Sequence, residues 1–302
     1  MTTRLQAISP RRSTFCALAA YLGWGAFPLY FKQLQLVPAA EIVAHRAFWS
    51  LIFLLLVMTL RQQWAWLSQA LRTPKVLVGF CASALALTAN WLIFIWAVNH
   101  DRVVDASLGY FINPLVNVLF GALLLHEQLR RIQFVAILIA ALGVAWLTWQ
   151  AGHLPWIGLL LGISFSTYGL LRKTASLGAL EGLTLETMLM FVPAAAYFIY
   201  LAAHGQNAFL HAGIATRSWL VAAGPITAVP LLLFATGARG ISFVTLGVLQ
   251  YITPSLQLWI GAGVYQEPFG PARALGFAAI WLALAIYAVE SIWRHRAMER
   301  TH

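Results

Sequence analysis

The chain has 302 residues, of which 61% are hydrophobic and 9% charged, with a mean hydropathy of +0.78. Soluble domains carry roughly 25% charged residues, so this composition excludes a water-soluble enzyme or binding module and points to a polytopic membrane protein. The net charge of +10 invites a nucleic-acid reading, but no helix carries a basic stripe interleaved with aromatics, and topology explains the charge instead.

Ten apolar stretches follow one another near 14–31, 42–60, 76–98, 103–125, 132–151, 154–171, 183–203, 219–238, 241–265 and 274–293. Each is about the ~17–25 residues that cross a hydrocarbon core, which predicts an all-α integral membrane protein of ten transmembrane helices. With the N-terminus in the cytoplasm, fourteen of the 19 Lys and Arg fall on that side and only Lys32, Arg102, Arg217 and Arg273 fall outside. This asymmetry places the tails 1–13 and 294–302 in the cytoplasm.

The first span begins after Arg11-Arg12 and contains Ala17-Leu18-Ala19-Ala20, which imitates a cleaved export signal. The run continues to Phe31, however, and its removal would leave an odd, unpaired helix count. Cys16 and Cys81 lie inside apolar spans, so no disulfide framework is implied. The second span opens with Glu41, His45 and Arg46, the first two one turn apart on one face. An imidazole titrates near neutrality and a guanidinium holds anions, so these three are candidates for coupling to a proton or ion gradient or for anion recognition. The alternative is snorkelling, because Arg46 stands only ~7–8 Å from the helix start. In the third span Trp91 and Trp96 can stack on an aromatic or amphipathic ligand or belong to an interfacial belt; Trp96 is the candidate for ligand contact. Trp24, Tyr168 and Tyr251 lie at comparable depths.

The fourth span carries a polar stripe of Tyr110, Asn113, Pro114, Asn117 and Gly121 at i, i+3, i+4, i+7 and i+11. Gln250, Thr253, Pro254, Gln257 and Gly261 repeat that spacing in the ninth span. Pro114 and Pro254 lack an N–H and are expected to break their helices, freeing the carbonyls of Tyr110 and Gln250. Amides, hydroxyls and free carbonyls in so apolar a setting need polar surroundings, so the stripe, with Tyr251 beside it, is expected to line a protein-walled substrate cavity. A kink re-satisfied by neighbouring side chains is the alternative.

The repeat divides the chain into two five-helix halves, 14–151 and 152–293, and an odd number of spans per half inverts the second. Inverted repeats with interrupted helices are the pointer to alternating access around a midplane site. Further along, Gly158 and Gly162 argue for close helix packing. Lys173, with Arg172, anchors the end of the sixth span, and Glu186 is its expected partner. Glu127 and its mate Glu267 each precede a helix whose start favours a carboxylate. No phosphate-cradling loop, metal-ligand spacing or serine-hydrolase or zinc-protease motif is present, so no catalytic residue, metal or cofactor is expected.

The stretches Asn90 to Asn99 and Ala106 to Asn117, together with Glu41-Ile42, His45-Arg46 and Gln250-Tyr251-Ile252 before Pro254, resemble the RarD group of EamA permeases in the drug/metabolite transporter superfamily. The resemblance covers residues 14–293 and implies two five-helix repeats, an inner-membrane location with cytoplasmic termini, and secondary transport of small metabolites or drugs. The Gly-Glu pair that often closes the fourth helix of such proteins is His126-Glu127 here and Gln266-Glu267 in the second copy. The expected function is therefore an exporter of a small amphipathic or aromatic molecule, with the lipid bilayer as its other partner. A membrane sensor or assembly subunit, or a membrane-embedded enzyme, is the rival, distinguished by whether the same residues are exposed alternately to both sides.

Overall fold

The computed structural model describes residues 9–99, 103–152, 156–266 and 270–299, and these are helical apart from short turns, with no strand among them. The first span is α1 (Pro10–Gly25) followed by α2 (Phe27–Phe31), and the second is α3 (Ala39–Leu60). A short surface helix α4 (Ala65–Arg72) leads to α5 (Pro74–Asn99), α6 (Val103–Leu124) and α7 (Arg131–Ala151), the third to fifth spans. The sixth and seventh are α8 (Trp156–Thr174) and α9 (Ala179–Ala203); a turn of helix, α10 (Ala208–His211), precedes the eighth, α11 (Ile214–Gly240). The ninth comprises α12 (Phe243–Gln250), α13 (Ile252–Trp259) and a π turn over Ile260–Val264, and α14 (Pro271–Glu299) is the tenth.

Local chemistry sets the boundaries. Ser9 and Ser242 cap α1 and α12 by accepting from the N–H of Arg12 and Thr245, and Pro10 fills the first helical position of α1. Gly152 ends α7 in the left-handed region at φ 75°. His126 and Gln266 adopt that conformation without glycine's freedom, at φ 53° and 51°, and they occupy equivalent places after the fourth and ninth spans. After α6 the Leu125 N–H reaches back to the Phe120 carbonyl at 3.2 Å and the Glu127 N–H to the Gly121 carbonyl at 2.9 Å, with His126 between them at the left-handed position.

Phe15, Leu56, Leu60, Leu85, Val192 and Ile199 face outward and exposed, as a lipid-facing surface requires. Inside, small residues bring backbones together: a Cβ on Gly109 would stand 2.9 Å from the Gly158 Cα, and Gly224 and Gly237 press on the backbones of Trp49 and Ala17. Helix neighbours obey a two-fold relation between the halves. The second span packs on the seventh, the fourth on the ninth and the fifth on the tenth. The first packs on the eighth as the sixth does on the third, and the sixth on the fourth as the first does on the ninth. These pairings are those of two inverted five-helix repeats.

Candidate functional site

The candidates on α3 separate into two groups. Glu41 is buried, accepts from the Phe209 N–H at 3.1 Å and stands 3.8 Å from His45 Nε2. The His45 ring lies between Phe198 and Phe209, and its Nδ1 accepts from Trp49 Nε1 at 3.3 Å. This pair therefore ties the α9–α11 connection to the start of α3. Arg46, one position on and about 100° round the helix, points into the bundle instead. Its guanidinium carbon sits 4.6 Å from the centre of the Trp91 ring, and Nε and Nη1 are buried without hydrogen-bond partners. The side chain does not snorkel.

Arg46 borders a cavity of about 210 Å³ among α3, α5, α9 and α11. Ser50, Thr88, Glu186, Thr187 and Tyr197 supply its other polar groups, and Leu87, Leu183, Met190 and Leu231 much of its apolar wall. Alongside lies an aromatic cluster from three helices. Trp24 meets Phe165 at 5.2 Å and Phe234 at 5.4 Å, and Tyr168 stacks on Phe234 at 5.9 Å. Trp24 Nε1 and the Tyr168 hydroxyl are buried without hydrogen-bond partners. The assembly thus offers a positive charge, ring faces and idle donors within one interior.

The stripe is placed differently from the expectation. None of Tyr110, Asn113, Asn117, Gln250, Tyr251, Thr253, Gln257 or Trp96 lines that cavity. Asn117 Nδ2 donates to Gln250 Oε1 at 2.8 Å across the contact between the halves. The Ser166 hydroxyl donates to Asn113 O and Oδ1 at 3.3 and 2.5 Å, the Thr253 hydroxyl to the Tyr21 carbonyl at 2.9 Å, and Gln257 Nε2 to the Trp24 carbonyl at 3.2 Å. Tyr110 packs edge-on to Phe94, Tyr251 stacks on Phe111, and the half-exposed Trp96 meets Trp156 at 6.2 Å. In this conformation helix-to-helix contacts engage the stripe's amides, because neighbours approach closely enough to reach them, while Asn117 Oδ1 and the Tyr251 hydroxyl are buried without hydrogen-bond partners. Nor does Pro114 break its helix, since α6 runs through it. The ninth span is broken at Tyr251, three residues before Pro254. There the Tyr21 hydroxyl donates to the Leu246 carbonyl at 3.0 Å, and the Tyr251 N–H turns back to Val248.

Two ion pairs also differ from the sequence reading. Glu186 faces Arg172 rather than Lys173, with Arg172 Nη1 3.7 Å from Oε1 and the Ser83 hydroxyl donating to the same oxygen. Lys173 stands 3.8 Å from Glu127 and donates to the Ile241 carbonyl at 2.7 Å. Glu127 accepts from the Phe243 and Val244 N–H groups at 2.8 and 3.0 Å, so it caps α12 of the other half, not the helix that follows it. Its mate Glu267 lies outside the described residues.

Residues 11–149 match the EamA-like transporter family. Protein RarD of Escherichia coli (strain K12) is 41% identical over 295 residues, 97% of this chain and 99% of that one. The uncharacterized transporter YojE of Bacillus subtilis (strain 168) is 43% identical over 299 residues, with the same shares. The chloramphenicol-sensitive protein RarD of Pseudomonas aeruginosa is 30% identical over 281 residues, covering 91% of this chain and 93% of its own. One solved protein structure, 19% identical, superposes with a TM-score of 0.67 over 91% of this chain and 96% of its own, a likeness of fold.

Proposed function

The chain belongs to the EamA-like transporter family, and on that footing we propose that it is a secondary carrier of the inner membrane, with both termini cytoplasmic, exporting a small amphipathic or aromatic organic anion by alternating access. Arg46 carries the reading: a cation among helices, with two nitrogens unpartnered, seated on an aromatic face and open to a cavity. A guanidinium without a carboxylate against it is costly inside a membrane protein, and a docked anion relieves that cost. The Trp91 face and the Trp24, Phe165, Tyr168 and Phe234 rings supply apolar surface beside the charge, which suits a flat or aromatic substituent.

The halves 14–151 and 152–293 are the bodies that rock. In doing so they exchange the contacts their stripes now make, first of all Asn117 with Gln250, and the freed amides line the path in the alternate state. Glu41 and His45 keep the outer end of α3 docked on α10 meanwhile.

The test is counterflow in proteoliposomes with labelled phenylacetate and indole-3-acetate against their neutral amides. The carboxylates exchange and the amides do not; Arg46→Gln lowers exchange by about tenfold or more, equivalent to ~1.4 kcal/mol, and Arg46→Lys falls between. Equal exchange of amide and carboxylate overturns the reading. Higher retention of the anion in cells lacking the protein than in cells overproducing it identifies export.

A further inference from the structure

Glu186 is a charged group on the same cavity as Arg46, and the groups around it come from several helices. It is 2% exposed. Ser83 of α5 donates to Oε1, and Arg172 of α8 approaches the same oxygen. Arg46 of α3 borders the same cavity, and both it and Tyr168 of α8 lie within the field of the carboxylate. Arg239 of α11 lies within the fields of Arg172 and of Glu181, which is on the same helix as Glu186. The remaining charged groups nearby are engaged elsewhere: Lys173 with Glu127, and His45 with Glu41. Arg172 directs its hydrogen bonds to the Gly178 and Ala179 carbonyls, and its Nη1, though 3.7 Å from Glu186, makes none. Glu186 Oε2 has no hydrogen-bond partner.

One carboxylate therefore faces Arg172 across 3.7 Å and Arg46 across the cavity, held by Ser83 at one oxygen and unpartnered at the other. An anion docked on Arg46 withdraws that cation's field from Glu186 and sets a second negative charge on the same small cavity, where charge repulsion is poorly screened. We propose that Glu186 is the proton-coupling group of this carrier: docking of an organic anion on Arg46 brings one proton from water onto Glu186 Oε2, and the two cross together. The anion's charge and the proton's cancel, so empty and loaded sites carry the same charge and a complete transport cycle moves no net charge across the membrane. Net flux follows the combined gradients, and such an exporter runs outward when the outward anion gradient exceeds any inward proton gradient. The inference rests on the reading of Arg46 as the anion anchor.

The test uses the full-length protein in nanodiscs and phenylacetate as probe. Proton uptake is followed in weakly buffered solution from pH 6 to 9, and affinity is measured across the same range. Wild type takes up one proton per bound anion, and its affinity falls by about tenfold per pH unit wherever the empty site holds Glu186 ionised. Glu186→Gln abolishes uptake and flattens the profile, whereas Glu186→Asp retains both. Ser83→Ala, which removes a donor to the ionised carboxyl, shifts the profile to higher pH. Proton uptake that persists in Glu186→Gln, phenylacetate binding to wild type without uptake, or an unmoved profile in Ser83→Ala overturns the coupling assignment and leaves the anion reading standing. Failure of both phenylacetate and indole-3-acetate to bind wild type overturns the anion reading and this inference with it.

Discussion

The fourth and ninth spans carry the same spacing of polar residues and fold differently. α6 is one continuous helix with Pro114 inside it, whereas its counterpart turns at Tyr251 and ends in a π turn over Ile260–Val264. Both prolines free a carbonyl, so proline alone does not decide the outcome. The partners do. α6 is pressed along α8 through Gly109 on Gly158 and Gly162 on Ile112, a contact that holds it straight. The ninth span meets α1, whose Tyr21 hydroxyl claims the Leu246 carbonyl just ahead of the turn. At equivalent points the first copy is locked by Asn113 with Ser166 and the second by Thr253 with Tyr21, polar pairs of different chemistry in one geometric role. An inverted repeat thus conserves where the halves touch and leaves each contact free to be stiff or yielding.

The largest effect tests whether the copies are inverted at all. His126→Cys and Gln266→Cys, both exposed and in a background without Cys16 and Cys81, are expected to react with a membrane-impermeant thiol reagent from opposite sides, the first only from the cytoplasm. Labelling of both from one side breaks the comparison. Next come the glycines at the two helix contacts. Gly109→Val and Gly247→Val each force a side chain against backbone, of Gly158 and Pro114 respectively, and are expected to lose ~1–3 kcal/mol, read as lower thermal stability in detergent. Gly79→Val, with open space around it, leaves stability unchanged.

A smaller change is expected from the polar locks. Asn117→Leu, Asn113→Leu and Thr253→Val each remove one interhelical hydrogen bond, worth about 0.6–1.7 kcal/mol in membranes, and should leave insertion intact while slowing transport in the counterflow assay. Normal transport in Asn117→Leu would reduce the stripe to helix glue. The smallest effect belongs to Tyr21→Phe, which releases the Leu246 carbonyl to the helix ladder. Slower hydrogen exchange at Gln250 and Tyr251, with a stability change of about 1 kcal/mol, is the expected outcome; unchanged exchange would mean that Pro254 itself sets the turn.

Much of the fold was legible because lipid imposes a simple grammar. Ten apolar runs of crossing length become ten spans, and the spacing around Pro114 and Pro254 exposes the duplication. The candidate site was legible one residue at a time. Arg46 stood out as a charge inside a span, but the direction it faces depends on a 100° step from His45, with Trp91 waiting on another helix. Glu186 was assigned to the wrong cation, because Arg172 and Lys173 are neighbours in sequence and point to different sides of α8. The stripe's amides were read as lining a cavity, whereas helix packing supplied partners for them. Polarity at depth announces that a partner exists; only the crossing of helices says which.

The Glu127 contact places a constraint on the order of biosynthesis. Its carboxylate follows the fourth span of the first half, yet the two N–H groups it serves and the ammonium beside it belong to Phe243, Val244 and Lys173, all made later. When the ribosome has released α6, that acid has none of these partners, and it waits at the membrane surface until the sixth and ninth spans arrive. The first half is therefore unfinished when synthesised alone, and the halves co-expressed as separate polypeptides should find each other through this junction.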